Sequence, residues 1–189
     1  IFNSSGTKIS SEFLVNTTTI NSQSQSSITA LGSNTFIVTW ISYYQDGDAY
    51  GVYGQIFNSD GKVGNEFLVN TTTTNTQSQP TITTLGSDKF IITWRSYGQD
   101  NADESSGVYG QIFYNNGIKN GSEFLVNTTT ANDQYKPTIT SLGSDKFIVT
   151  WTSDGQDNAD GSLGVYGQIF NSDGTKDGSE FLVNTTTAE

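Results

Sequence analysis

The heptapeptide GVYGQIF, at residues 51–57, 107–113 and 164–170, decides the class of fold of this chain. Its Val, Tyr, Ile and Phe residues favour β-strands, and the Asn, Asp, Gly and Ser residues around it favour turns. An element repeated this closely predicts three strands in near-identical surroundings, because each copy must fit the same neighbours. We therefore expect a tandem repeat built from β-structure.

Other landmarks recur at matching intervals. The octapeptide EFLVNTTT begins at Glu12, Glu66, Glu123 and Glu180, and the tryptophans are Trp40, Trp94 and Trp151. Each unit contains four strand-like runs, which we call A, B, C and D. In the second unit they read PTITTLG, FIITWRS, GVYGQIF and EFLVN, with turn residues between them and no helical periodicity. The pattern predicts an all-β fold of four-stranded antiparallel repeats.

Run B indicates how the repeats pack. FIVTW at 36–40 and 147–151 and FIITW at 90–94 are nearly continuous apolar stretches, as expected for strands buried on both faces. Sheets that stack face to face, as in a β-propeller, bury both faces of each inner sheet. We predict a β-propeller-like fold, with tandem small sandwiches and a β-solenoid as alternatives.

The repeat divides one domain into four segments. Residues 26–73, 79–129 and 136–187 are predicted to be complete blades, and residues 1–19 a half-blade made of runs C and D. In this prediction residues 12–16 form a full strand D. Three and a half blades do not close a ring, so we expect either a fragment of a longer array or association of copies of the chain through the exposed edges of the half-blade.

The composition argues against several classes of function. The chain has no histidine and no cysteine, and 19 acidic residues against 8 lysine and arginine residues give a net charge of −11. Such a surface repels nucleic acid and anionic lipid, and no apolar run approaches the ~18 residues of a membrane span, so we expect neither partner. Histidine- and cysteine-based catalysis is excluded, and no unit carries a distinct interruption. We predict that the chain is not an enzyme.

The loops between runs B and C are acidic and hold no lysine or arginine. Six basic residues are predicted at the opposite end of the strands: Lys8, Lys62, Lys89, Lys119, Lys146 and Lys176. The third loop contains QDNADG at 156–161, which is similar to a calcium-binding loop with Gln in the first position. Asp157, Asn158 and Asp160 are the candidate ligands. The alternative is a solvated loop whose Asp and Asn side chains bond the local backbone, and no other cofactor is predicted.

Several asparagines fit the N-x-[ST] acceptor pattern of N-glycosylation. They are Asn16, Asn70, Asn127 and Asn184, which begin the NTTT segments, together with Asn3 and Asn120. We predict glycosylation at these sites if the protein is secreted by a eukaryotic cell. The alternative is that the NTTT asparagines cap the ends of strands through hydrogen bonds.

Exposed aromatic rings allow a carbohydrate-binding interpretation. Tyr43, Tyr44, Tyr50 and Tyr97 lie in or beside the loops between runs B and C. The third loop has Ser153 and Asp154 where the first has Tyr43 and Tyr44, so no aromatic pocket repeats. The tryptophans and the phenylalanines of the EFLVNTTT segments are expected in the core.

The unit PTITTLGSDKFIITWRSYGQD…GVYGQIFNSDG…EFLVNTTT resembles the tandem repeats of very large secreted or surface proteins of bacteria and protists. The resemblance covers essentially the whole chain. It implies an extracellular scaffold or adhesive role and no catalytic residues. The leading prediction is an extracellular structural module, and we expect it to assemble into a glycosylated filament or surface array. The alternative is a glycan-binding β-propeller or adhesin module.

Overall fold

The computed structural model describes residues 5–100, 104–157 and 161–185, and all regular structure in them is β. The strands are β1 (Gln23–Ala30), β2 (Thr35–Tyr43), β3 (Tyr50–Asn58), β4 (Gly61–Leu68), β5 (Gln77–Leu85), β6 (Lys89–Tyr97), β7 (Ser106–Tyr114), β8 (Lys119–Leu125), β9 (Gln134–Leu142), β10 (Lys146–Asp154), β11 (Leu163–Asn171) and β12 (Lys176–Leu182). Within these residues no helix is long and apolar enough to cross a membrane.

The strands form three sheets, each a meander in which consecutive strands are antiparallel neighbours. Sheet 1 contains β1–β4, sheet 2 contains β5–β8 and sheet 3 contains β9–β12. The predicted all-β fold of four-stranded antiparallel repeats is confirmed. The three sheets do not close into a ring, so the β-propeller stays a prediction.

Each sheet has a front face, which carries the tryptophan, and a back face. In sheet 1 the front face carries Val38, Trp40, Tyr53 and Phe57, and the back face carries Ile37, Ile41, Val52, Ile56 and Val69. The back face of sheet 1 packs on the front face of sheet 2, and the back face of sheet 2 packs on the front face of sheet 3. A continuous apolar core therefore lies between each pair of consecutive sheets.

The two copies of FIVTW show that the burial of a side chain depends on which sheet packs against it. Ile37 in sheet 1 is fully buried, whereas Ile148, at the same position in sheet 3, is only half-buried. The cause is that the described residues place no further sheet on the back face of sheet 3. Burial of run B on both faces is confirmed for sheets 1 and 2 and is wrong for sheet 3.

Residues 5–20, which we call the N-terminal segment, cover part of the front face of sheet 1. The ring of Phe13 lies 5.5 Å from that of Phe57, and Val15 packs on the Trp40 cluster. The strand predicted at residues 12–16 is not formed, and the segment holds only an isolated bridge at Lys8. The segment packs on the front face of sheet 1, and none of the strands that the structure describes pairs with residues 12–16. Run C of the same unit, predicted to end at Asn3, lies outside the described residues.

Candidate functional site

The two glycines of GVYGQIF are explained by side chains that occupy the space of a Cβ atom. A Cβ on Gly51 would overlap the carboxylate of Asp46, from the loop between runs B and C. A Cβ on Gly54 would lie 2.9 Å from the Phe67 ring of strand β4. The same pairs recur in sheets 2 and 3, so the glycines admit one loop aspartate and one phenylalanine per unit.

The glutamine of GVYGQIF holds an irregularity in the pairing of runs C and D. The register of β3 and β4 shifts between Gly54 and Ile56. The buried side-chain amide of Gln55 donates hydrogen bonds to the carbonyl oxygens of Ile56 and Val63, at 2.9 and 3.1 Å. Gln111 and Gln168 do the same in the other sheets. The heptapeptide is therefore conserved among the units for reasons of packing.

The asparagines of NTTT close each sheet at the end of run D. Asn127 accepts a hydrogen bond of 2.7 Å from the amide of Val108. Its Nδ2 donates to the carbonyl oxygen of Thr129 at 2.8 Å and to Oε1 of Gln134 at 3.2 Å. Asn70 makes the equivalent bonds, and these two side chains are 1% exposed at most. This arrangement agrees with the strand-capping alternative.

The other predicted acceptor sites are less enclosed. Asn16 and Asn184 are half-buried, and Asn184 accepts the amide of Val165 at 2.7 Å. Asn120, in β8, is also half-buried. Asn3 lies outside the described residues. Glycosylation of these sites stays a prediction.

A carboxylate from each run D bonds the NTTT segment of the preceding unit. Oε2 of Glu123 accepts a 2.6 Å hydrogen bond from the amide of Thr71, and its Oε1 accepts one of 2.6 Å from Gln99. Ser96 in turn donates to Gln99 at 2.6 Å. Glu66 and Glu180 bond the preceding unit in the same way. The Gln of each Gln-Asp loop thus orients the glutamate.

A lysine completes this contact. Nζ of Lys119 donates to Oγ1 of Thr71 at 3.0 Å and lies 3.5 Å from the carbonyl oxygen of Asn70. Lys62 and Lys176 contact the NTTT segments of their preceding units in the same way. We call this set the inter-sheet clamp: Lys62 and Glu66 on Asn16–Thr17, Lys119 and Glu123 on Asn70–Thr71, and Lys176 and Glu180 on Asn127–Thr128.

The clamp lysines are the first or second residue of β4, β8 and β12, at the turn that follows run C, where the sequence predicts them. Their ammonium groups extend from there to the NTTT segment of the preceding unit. The register shift between runs C and D brings the lysine and the glutamate of each run D to one threonine. Burial lowers the pKa of Lys119 and Lys176, and the carboxylates of Glu123 and Glu180 partly oppose this effect.

The N-terminal segment repeats the clamp residues without a bound partner strand. Lys8 and Glu12 match Lys62 and Glu66 in the repeat, and they lie 3.9 Å apart. The side chain of Glu12 is 96% exposed, and its only ion pair among the described residues is with Lys8. At the other end of the stack, no described residue covers Thr185 as Glu180 covers Thr128.

A second set of contacts joins the A strands of consecutive sheets. The amide of Gln79 donates to Oε1 of Gln25 at 2.6 Å, and the amide of Lys136 donates to Oε1 of Gln79 at 2.8 Å. All three residues have φ between 53 and 56°, at the register shifts of β1, β5 and β9. We call this the A-strand ladder. Lys136 differs from its two counterparts because its side chain carries no acceptor.

The loop aspartates lie against strand C. Both carboxylate oxygens of Asp157 are buried beside Gly164, and no described residue forms a hydrogen bond with either of them. The other two candidate calcium ligands, Asn158 and Asp160, lie outside the described residues. Among the described residues no group of three or more acidic side chains is arranged to hold a metal ion. Calcium binding stays a prediction.

Burial also shifts the ionisation of this region in sheet 1. It raises the pKa of Asp46, while the side chain of Asn70 and nearby backbone amides partly lower it. Burial together with the charges of Asp46 and Glu66 raises the pKa of Tyr53 to about 12. In the folded protein at neutral pH, the Tyr53 hydroxyl is therefore protonated and carries no charge.

Only sheet 1 gathers the tyrosines that were considered for sugar binding. The ring of Tyr43 lies 5.0 Å from that of Tyr44 and 4.9 Å from that of Tyr50. Tyr43 and Tyr44 are exposed. Tyr97 occupies the Tyr43 position of sheet 2, where Gly98 replaces the second ring, so it does not join the cluster.

The back face of sheet 3 is more exposed than the back faces of sheets 1 and 2. Val183 is 47% exposed, whereas Val69 and Val126, at the same position in sheets 1 and 2, are fully buried. Val165 and Phe181 on the same face are each 40% exposed. Contiguous exposed apolar surface is typical of interaction sites.

No protein-family model, curated protein or solved structure matches the chain. The resemblance to tandem repeats of secreted and surface proteins therefore stays a prediction, as does every functional statement drawn from it. The sequence reasoning missed the clamp residues. Their one signal was that Lys and Glu recur four residues apart in run D of each unit.

Proposed function

We propose that the chain is an extracellular structural module, a propeller-like stack of sheets that associates with copies of itself. The observation that carries the proposal is how the repeated polar residues are used. Glu, Lys and Asn of each unit bond a neighbouring unit or close their own sheet, as with Glu123, Lys119 and Asn127. Side chains bound in this way hold the sheets together.

The proposed propeller-like arrangement draws support from the A-strand ladder. It connects β1 to β5 and β5 to β9, so the first strand of each sheet lies beside the first strand of the next. Sheets that radiate from adjacent first strands are the basis of propeller architecture. The exposed back face of sheet 3 offers a surface on which the same stacking can continue.

A glycan-binding module is the second candidate, and one observation favours it. The exposed rings of Tyr43 and Tyr44 cluster with the half-buried ring of Tyr50 beside an acidic loop, and sugar rings stack on such surfaces. A glycan array probed with and without calcium tests it, with Tyr44→Ser as the matched variant. Binding that Tyr44→Ser abolishes would support a lectin; an array without a single binder would contradict it.

Analytical ultracentrifugation over a wide concentration range, followed by electron microscopy of the untagged protein, tests the structural role. We expect discrete rings or regular fibres that grow with concentration. A protein that remains monomeric at all concentrations would contradict self-association. Recovery of the native protein from the cell surface or the medium tests the extracellular assignment, and recovery from the cytosol alone would contradict it.

A further inference from the structure

Residues 180–187 repeat residues 12–19 letter for letter, and the two octapeptides have different surroundings. In the first copy, the described residues cover the front face of sheet 1. In the second copy, they belong to the exposed back face of sheet 3. Since a back face packs on a front face twice within the chain, the front face of sheet 1 is the natural partner of the back face of sheet 3.

The N-terminal segment covers the front face of sheet 1 incompletely. Ile28 of β1 is 63% exposed, whereas Ile82 and Ile139, at the same position in β5 and β9, are 7% and 8% exposed. A cavity of about 220 Å³ remains between the segment and the sheet, lined by Val15 and Trp40 among others. The front face of sheet 1 thus has room for more apolar surface than the segment supplies.

The contacts that the segment does make are those of a run D. Phe13 lies 5.5 Å from Phe57, as Phe67 lies 5.5 Å from Phe113 between sheets 1 and 2. The amide of Thr17 donates to Glu66 at 2.6 Å, and Lys62 donates to Oγ1 of Thr17 at 3.1 Å. Any stretch of chain that replaced the segment would need the same residues at the same spacing to keep the hydrogen bonds that Lys62 and Glu66 form.

We infer that the N-terminal segment is a stand-in for run D of a second copy, and that association proceeds by exchange. The octapeptide at residues 180–187 of one copy displaces residues 12–19 of the next, and the back face of sheet 3 then packs on the front face of sheet 1. This inference rests on the proposed self-association and specifies its surfaces. No covalent bond changes.

Physical reasoning favours the exchanged state at sufficient concentration. The displaced and the incoming octapeptides are identical, so the clamp and the phenylalanine contact are replaced one for one. Beyond the octapeptide, the incoming copy adds Val165, which is 40% exposed in the free chain, and its sheet covers Ile28, which is 63% exposed. The added burial opposes the entropy lost on association, so the exchange depends on protein concentration.

The junction is heterologous, since it joins a front face to a back face. Repetition therefore produces either a closed ring or an open filament, and both results agree with the exchange. Edge-to-edge pairing of half-blades, the association expected from the sequence, uses a different surface. The two modes are separable by experiment because only the exchange requires the segment to leave the front face.

A chemical lock on the segment tests the exchange. Ser10 and Ser59 line one cavity of about 260 Å³ between the segment and sheet 1, and the chain has no cysteine of its own. The double variant Ser10→Cys, Ser59→Cys is joined with a short bismaleimide, and the same variant capped with N-ethylmaleimide is the control. We expect the capped protein to assemble and the joined protein to remain monomeric in sedimentation.

A surface variant tests the other side of the junction. Val183→Asp places a charge on the back face of sheet 3, and Ile118→Asp places one on an exposed isoleucine between β7 and β8 as the matched control. We expect Val183→Asp to weaken association roughly a hundredfold, as for a central interface residue, and Ile118→Asp to leave it unchanged. Circular dichroism checks that both variants keep the fold.

The outcomes separate this inference from the proposed function. Assembly of the joined protein, or assembly of Val183→Asp at the wild-type concentration, would overturn the exchange while self-association stands. A wild-type protein that is monomeric at all concentrations would overturn both. If the capped protein assembles, the joined protein stays monomeric and Val183→Asp associates more weakly, the exchange and the proposed self-association are both supported.

Discussion

The carboxylate of Glu123 accepts a 2.6 Å hydrogen bond from the backbone amide of Thr71, which lies 52 residues earlier in the chain. This bond connects run D of sheet 2 to the linker that follows sheet 1. Glu66 accepts the same bond from Thr17, and Glu180 accepts it from Thr128. Hydrogen bonds therefore contribute to the stacking of the sheets, in addition to the apolar cores between them.

The first prediction concerns this clamp. Glu123→Ala should lower the free energy of unfolding by about 1–2 kcal/mol, because a charge-assisted hydrogen bond is lost at a partly solvated site. Urea denaturation measures the stability, and hydrogen exchange at the amide of Thr71 reports the bond itself. Glu12→Ala is the matched control, since the Glu12 side chain is 96% exposed. Equal effects of the two substitutions would contradict the clamp.

The second prediction concerns the second glycine of GVYGQIF. A Cβ on Gly110 would lie 2.9 Å from the ring of Phe124, and that ring is held from other sides by Gly174 and Phe170. Gly110→Ala should therefore destabilise the protein by about 1–3 kcal/mol through overpacking. Gly32→Ala, where the nearest atom is 3.5 Å away, should be close to neutral.

A double variant checks the cause. Adding Phe124→Leu to Gly110→Ala should cost less than the sum of the two single changes, because the smaller side chain relieves the overlap. If the losses in the free energy of unfolding simply add, the overlap between residue 110 and the Phe124 ring is not the cause of the destabilisation.

These contacts show which parts of the protein a single sequence reveals. The strands of runs B and C were predictable because β-branched and aromatic residues lie between turn residues, and such local preferences do not depend on the neighbouring sheet. The start of run A at Gln77 was not predictable. Its polar residues resemble a linker, and they form a strand because Gln77 is buried and bonded to Asn70.

The site was harder to predict than the fold for a related reason. Glu66 and Lys62 look like ordinary exposed charges in run D, and their role follows only once a second unit is placed beside them. Likewise, the burial of Ile37 and of Ile148 differs although both lie in FIVTW, because burial depends on which sheet lies opposite. Contacts between units depend on how the sheets are stacked, and the repeat length in the sequence does not reveal that arrangement.

The third prediction concerns glycosylation. Because Nδ2 of Asn70 and of Asn127 is buried and already donates hydrogen bonds, a glycan on either nitrogen would displace those bonds and the packing around them. We expect both asparagines to be unmodified in folded protein secreted from a glycosylating host. Enzymatic deglycosylation in heavy-oxygen water, with peptide mass spectrometry, labels every occupied site. Quantitative occupancy of Asn70 in soluble, folded protein would contradict the buried arrangement.

The fourth prediction concerns alkaline pH. The pKa of Tyr53 is raised to about 12 and those of Tyr109 and Tyr166 are also raised, chiefly by burial, whereas tyrosines of the unfolded chain ionise near 10. The unfolded state releases these protons first, so the stability that the neutral tyrosines contribute is complete below about pH 10 and falls as the pH rises towards 12.

Urea denaturation at a series of alkaline pH values measures this loss, and the ultraviolet absorbance of tyrosinate follows the ionisation. Tyr53→Phe should reduce the pH dependence of the stability, because the pKa of Tyr53 is raised in the folded protein. An unchanged pH dependence in Tyr53→Phe would contradict the prediction.

The last prediction concerns the A-strand ladder at the junction between copies. Within the chain the amide of Gln79 is accepted by Gln25, and the amide of Lys136 is accepted by Gln79. In the exchanged assembly the next amide is that of Gln25 from the second copy, and it meets Lys136, whose ammonium group accepts no hydrogen bond. The junction therefore lacks one bond that both internal interfaces have.

Lys136→Gln should supply that acceptor and lower the concentration needed for assembly by about three- to tenfold, the range expected for one net hydrogen bond. Light scattering against concentration measures the threshold. Lys89→Gln removes the same charge at the first residue of β6, away from the ladder, and controls for the change in net charge. Equal thresholds for the two variants would mean that charge alone matters. A lower threshold for Lys136→Gln alone would mean that β1 of one copy follows β9 of another, as β5 follows β1 within the chain.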